Sequence, residues 1–189
     1  MPSPSFRILL VVAASAGLAA CTGVPAGVEP VQGFDVQRYA GTWYSIHRLD
    51  HSFERNLTNV TARYTVRPDG TVEVVNRGFD RTECAWQEVV GTAKFRGSPE
   101  VASLAVTFQW PFAGGYHVFA LDPDYRWVMI SGPSHGYLWI LSREPQLAPE
   151  VRDRLVAKAR EAGFPVDELQ TVDHGTPTCA DGRAAPAGT

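Results

Sequence analysis

Between Gly41 and Ser142, apolar and polar residues alternate in short runs, and turn-forming residues interrupt them about every 8 to 12 residues. The runs are TWYSIHRL, VTARYTV, TVEVVNRGF, CAWQEVVGTAKF, SLAVTFQW, YHVFAL, RWVMIS and YLWILS. Alternation of period two puts successive side chains on opposite faces of a strand, so each run predicts a strand with one apolar face. The breaks carry turn chemistry: RPDG at 67–70 joins a proline that fixes φ to a glycine that accepts positive φ. WPFAGG (110–115) and DHSFERNL (50–57) read as loops. Eight successive strands on short connections predict an all-β, antiparallel up-and-down barrel, because closure removes the edges an open sheet would expose.

After Ser142 the period changes. APEVRDRLVAKAREAGF places Val151, Leu155, Ala159 and Ala162 at helical spacing with charged residues between them. Pro149 suits a first turn and Gly163 a helix end, so one C-terminal helix is expected to lay its apolar stripe on the outside of the barrel. DELQTVDHG reads as a short extended return. The barrel with its flanking helix is assigned to 34–175, and the Ala/Gly/Pro-rich stretch within 176–189 to a disordered tail.

Residues 1–20 have the build of a secretory signal peptide: Arg7, then the apolar run ILLVVAASAGLAA. That run is shorter than the roughly 20 residues a membrane-spanning helix needs. Leu18-Ala19-Ala20-Cys21 resembles the bacterial lipobox, which implies that Cys21 becomes the mature N-terminus and carries diacylglycerol on sulfur and an acyl chain such as palmitate on its amine. Several chains suit the physics, because one chain anchors only marginally. Thr22 in place of an aspartate implies, by the same resemblance, the outer membrane. Residues 21–33, with Gly and Pro at close intervals, read as a lipid-anchored flexible tether. The competing reading is an ordinary signal peptide with a free Cys21.

The chain has 17 Lys+Arg against 20 Asp+Glu and no block of one sign, which argues against a nucleic-acid partner. If Cys21 is lipidated, Cys84 and Cys179 remain, and an even pair in an exported protein reads as a disulfide. Two free thiols are the alternative. There is no CxxC and no third ligand for His47 and His51, so no metal site or cofactor is expected. Neither GxSxG nor HExxH occurs. Ser134 and His135 are neighbours in GPSHG, where a turn points them apart, so no catalytic residue is assigned. NLT and NVT at Asn56 and Asn59 match a glycosylation pattern by chance.

Gly41-Thr42-Trp43-Tyr44, preceded by FDVQRYA, resembles the first conserved region of the lipocalins. DPDY (122–125) resembles the second region and ILSR (140–143) the third, in the right order, over Phe34 to Val172. GTWYSIHRLDHSFERNL, WPFAGGYHVFALD and YLWILSREP are similar to lipid-anchored bacterial members of that family. The resemblance implies an eight-stranded barrel with a C-terminal helix. It makes Trp43 the plug of the closed end and lays Arg143 over its indole, both structural. It also matches CADGR to a tail whose cysteine bridges to the fourth strand, where Cys84 sits.

Strand phase then predicts the inner wall. Trp43 set inward puts Ser45 and His47 inside; alignment to the family adds Ala62, Tyr64, Val72, Val74, Asn76, Val89 and Ala93. Leu104, Val106, Phe108, Val118, Ala120, Val128, Ile130, Tyr137, Trp139 and Leu141 complete it. Of these, Ser45, His47, Ala62, Tyr64, Val74, Asn76, Val89, Leu104, Val106, Phe108, Val118, Ala120, Tyr137 and Trp139 are the candidate cavity residues. The wall is mostly apolar; small residues leave room, and His47, Asn76, Tyr64 and Tyr137 are placed to fix a headgroup. Phe53 falls on the loop that rims the mouth. The expected function is binding of a small lipid, a fatty acid or lysophospholipid-like amphiphile, by a lipoprotein facing the periplasm from the outer membrane, with a homodimer left open. The alternatives are an envelope structural or stress-response protein with a filled barrel and, last, an enzyme on the same scaffold.

Overall fold

A computed structural model describes residues 22–186. The signal peptide and Cys21 lie outside the described residues. Eight antiparallel strands form the wall: β1 (Gly41–Arg48), β2 (Leu57–Val66), β3 (Val72–Asp80), β4 (Ala85–Phe95), β5 (Ser103–Gln109), β6 (Phe112–Leu121), β7 (Trp127–Ser131) and β8 (Leu138–Ser142). Each pairs with the next, and β1 pairs with both β2 and β8, so the sheet closes. A short β9 (Gln170–Thr171) adds to the end of β1.

Both ends of the barrel have a local cause. At the closed end Asp35 caps a four-residue helix, α1 (Val36–Tyr39), by accepting from the backbone N–H of Gln37 and Arg38. Tyr39 thereby stacks on Trp43, with ring centroids 5.0 Å apart. The Arg143 guanidinium lies 3.9 Å from the Trp43 ring centre and donates to the carbonyls of Arg38, Tyr39, Ala40, Thr42 and Tyr125. One cation thus closes the chain ends of α1, β1 and β8 over a fully buried indole. At the open end the β1–β2, β3–β4, β5–β6 and β7–β8 connections form the mouth.

Helix α2 (Pro149–Glu161) packs on the outer face of β6–β8, burying Leu155 and Ala159 against Phe119, Met129, Leu138 and Ile140. Full burial of a leucine contributes roughly 1.5 to 3 kcal/mol. The helix ends as a Schellman turn: Gly163 takes φ +89°, its N–H reaches Arg160 O, and Phe164 N–H reaches Ala159 O.

Three segments depart from the sequence expectation. Residues 22–33 are not a free tether but a strap along the wall. Val31 N–H donates to Val118 O, Val31 O accepts from Ala102 N–H, and Val28 is buried in the cluster under α2. A Gly/Pro-rich stretch cannot make its own helix, but it still carries donors and acceptors that the β5–β6 side of the barrel satisfies. The tail is likewise ordered to residue 186. Cys179 is bonded to Cys84 (Cα–Cα 4.9 Å), Ala180 N–H donates to Arg81 O, and Asn59 holds the carbonyls of Asp173 and Gly175. Finally, most of WPFAGG is strand: β6 begins at Phe112, leaving only Trp110 and Pro111 at the hairpin tip.

Candidate functional site

The barrel holds a cavity of about 890 Å³ that opens at the mouth. Ten of the expected residues line it: Ser45, Ala62, Tyr64, Val74, Asn76, Val89, Val106, Phe108, Tyr137 and Trp139. Phe53 lines its entrance. Leu104 points inward below it, beside a void of about 10 Å³ at the closed end. Val118 also points inward but is fully buried in the packed core between strap and floor.

His47 and Ala120 face outward, contrary to expectation, and the reason is the same for both. Each follows a β-bulge, one between Ser45 and His47 and one between Val118 and Ala120. An extra residue in one strand resets which face follows. His47 therefore pairs with Ile140, on the helix side of the wall, and its ring contacts Thr171 Oγ1 at 3.2 Å. Burial and the nearby Arg152 hold its pKa below the usual value. Ala120 pairs with Met129 and packs under α2.

The bulge in β1 has a second effect, which strand phase alone missed. It turns Arg48 inward, 5% exposed. Its Nη2 donates to Glu54 O at 2.7 Å and Leu57 O at 3.1 Å, and its Nε stands 3.7 Å from the Glu54 carboxylate. Trp139 Nε1 donates to the same carboxylate at 3.0 Å, and Glu54 faces the cavity. Burial pushes the Glu54 pKa up, against the pull of Trp139 and Arg48. His51 lies between Phe53 and Tyr137, with ring centroids 5.2 and 4.9 Å away. Burial first, and Arg48 second, lower its pKa to about 4. Near the mouth the wall thus carries a buried carboxylate, Glu54, backed by the Arg48 cation and bonded by one aromatic donor, Trp139. Buried Ser45 Oγ and Asn76 Oδ1, both on the cavity lining, find no partner among the described residues. Such groups favour a ligand or water that can bond them.

A neutral His51 has a pH consequence. Its folded pKa lies below its unfolded value, so its contribution is complete above about pH 6.5 and is lost as pH falls toward 4. At about 1.4 kcal/mol per pKa unit, the loss is at most roughly 3 kcal/mol. His51→Phe keeps the ring stack and is expected to unfold with a flatter pH dependence than the parent between pH 6.5 and 4. Urea melts across that window test it, and parallel curves for the two proteins would refute it.

The floor is formed by three tyrosines. Tyr64 OH meets Tyr116 OH at 2.9 Å, and Tyr39 OH bonds Tyr116 OH. Burial raises all three pKa values, that of Tyr64 to about 12, so the hydroxyls stay neutral. In the β7–β8 loop, His135 Nε2 lies 2.9 and 3.0 Å from the carbonyls of Ala26 and Ala162, while Ser134 Oγ takes the N–H of Gly136. The two side chains serve different contacts and form no dyad.

A family model described as a lipocalin-like domain matches residues 34–174. The chain is 46% identical over 168 residues to outer membrane lipoprotein Blc of Citrobacter freundii, covering 86% of this chain and 95% of that protein. It is 41% identical to the protein of that name from Vibrio cholerae, covering 86% and 96%. Temperature-induced lipocalin-1 of Arabidopsis thaliana is 37% identical, covering 79% and 82%. Among solved structures, insecticyanin of Manduca sexta superposes with a TM-score of 0.65 at 17% identity, covering 84% of this chain and 90% of that one, which speaks to the fold alone. With the closed eight-stranded barrel, the Trp43–Arg143 closure and the flanking helix, these matches establish that the chain belongs to the lipocalin family.

Proposed function

We propose that this lipocalin binds one acyl-chain amphiphile, a fatty acid or a lysophospholipid, inside its barrel, and that it does so as a lipoprotein of the outer membrane facing the periplasm. The cavity carries the reading: about 890 Å³ of mostly apolar space, open at one end, with polar groups gathered near the mouth. That arrangement suits an apolar chain inserted tail first with its headgroup at the mouth, where the lining includes Arg55 and Arg77 as well as Glu54. A barrel filled by its own side chains would have no such space, which disfavours a purely structural role. Among the described residues no serine or threonine on the cavity lining is bonded to a base, and the Ser103–His117 pair lies off the cavity beneath the strap, so binding and carriage, not catalysis, is the activity proposed. The anchor rests on the lipobox-like LAAC and on relatives named outer membrane lipoprotein. The cavity needs no second subunit to be complete, so the monomer is taken as the binding unit.

The test is a titration of residues 22–189 with lysophospholipid and with fatty acid, read by tryptophan fluorescence, because Trp139 stands in the wall. Saturable binding at micromolar concentration is expected. Val106→Trp, which places an indole in the lower cavity, should remove it while leaving the barrel folded. A folded parent protein that answers neither lipid defeats the proposal. Separately, replacing residues 1–21 by a cleavable secretory signal without a lipobox should release the protein from membranes into the soluble envelope fraction.

A further inference from the structure

Two independent features of the described residues meet at the mouth. The first is a ring of exposed aromatics from two loops that are distant in sequence. Trp110 is 86% exposed, Phe112 73% and Phe53 63%. Trp110 and Phe112 flank the tip of the β5–β6 hairpin, and Phe53 stands on the β1–β2 loop. Single exposed apolar residues need no explanation, but large aromatics clustered at a lipid-sized opening do.

The second is where the strap ends. It starts at the closed end with Phe34, stays bonded at Val31, and reaches Thr22 beside β6. A Cβ on Gly115 would lie 3.2 Å from the Thr22 backbone. His117 fastens this end: its Nε2 lies 2.8 Å from Gly23 O, while Nδ1 is 3.0 Å from Ser103 Oγ. The ring is fully buried, and burial lowers its pKa, which keeps the clasp neutral. Gly115 is only three residues from Phe112, the mouth end of β6, so Thr22 sits about 10 Å from the rim at the rise of a strand. The barrel itself thus carries Thr22, the residue after the expected attachment point, toward the open end.

We propose that the mouth of the barrel is seated on the same bilayer that holds the anchor, with Trp110 and Phe112 in its interfacial layer, so that ligand passes between bilayer and cavity without entering bulk water. This rests on the lipid-anchor reading given above. Aromatic rings are the side chains that favour the headgroup region, where an apolar body and a polar neighbourhood coexist. A chain held near the rim at Thr22, one residue from the expected anchor, and a rim of aromatics together select one orientation; either alone would leave others open.

The experiment uses the full, lipidated protein in phosphatidylethanolamine–phosphatidylglycerol vesicles containing phospholipids brominated near the headgroup, which quench indoles at that depth. The parent protein is expected to be quenched, and Trp110→Phe to lose most of the quenching. Phe53→Trp in the Trp110→Phe background should restore it from the opposite side of the rim. Both positions are exposed, so neither change threatens the fold. Protein that floats with the vesicles through Cys21 yet shows equal quenching in parent and Trp110→Phe overturns the orientation and leaves the anchor standing. Protein that does not stay with the vesicles overturns both. Unquenched Trp110 together with disulfide-linked pairs formed by Phe112→Cys assigns the rim to a second copy of the chain and likewise overturns the proposal.

Discussion

Reduction of the Cys84–Cys179 bridge is expected to lower the free energy of unfolding by about 4 to 5 kcal/mol, the cost of releasing a closed loop of this length in the chain-entropy model. The bridge spans 95 residues, so it encloses β4 through α2 and most of the tail. For a domain of this size the loss corresponds to a fall in Tm of roughly 10 to 20 °C. The local structure points the same way. Cys179 is 1% exposed, and the Ala180 N–H to Arg81 O and Arg81 Nε to Thr178 O bonds depend on the tail staying against the β3–β4 hairpin. The double variant Cys84→Ala, Cys179→Ala should behave like the reduced protein, and its urea midpoint should not respond to reductant. An oxidised and a reduced parent with the same midpoint would mean that the tail contacts alone hold that hairpin.

Arg48→Met is expected to cost about 3 to 5 kcal/mol, far more than its place near a loop suggests, because it leaves the Glu54 carboxylate buried without its cation. The carboxyl pKa, already raised by burial, rises further in the variant. The penalty should therefore shrink as pH falls and Glu54 takes up a proton. Adding Glu54→Gln to Arg48→Met removes the buried charge while keeping an acceptor for Trp139, and should recover much of the loss. Recovery stays incomplete because Arg48 also serves the carbonyls of Glu54 and Leu57. A double-mutant cycle from urea melts measures the coupling. Additive single and double changes would mean that the pair is held by packing, not by charge.

Much of the barrel was legible because its strands are half-buried, and half-burial writes itself as alternation. The eight runs fall on β1 to β8, and Val151, Leu155 and Ala159 fall on the buried side of α2. The cavity was legible only where alternation is unbroken. Ala62, Tyr64, Val74 and Asn76 on β2 and β3 are where phase puts them. His47 and Ala120 are not, since Ile46 and Phe119 are apolar residues that look the same whether they continue a strand or bulge from it. Arg48 was invisible for a further reason: a charged residue at a strand end reads as solvated unless its partner is known, and Glu54 sits in a loop without periodicity. Strap and tail escaped because composition reports what a segment cannot form alone, not what a neighbouring edge or a disulfide will do for it.

The tyrosine floor has a consequence in the dimension of length. The hydroxyls of Tyr39, Tyr64 and Tyr116 are bonded to one another, so they offer an apolar tail neither a partner nor an unmet polar group. Beneath them lies a void of about 10 Å³, too small to hold even one water comfortably. A chain threaded from the mouth meets a fixed stop, not a yielding wall. For the proposed acyl ligand the barrel is then a gauge: carbons beyond those the cavity accommodates would remain outside, and ligands of one headgroup would be sorted by how many they have.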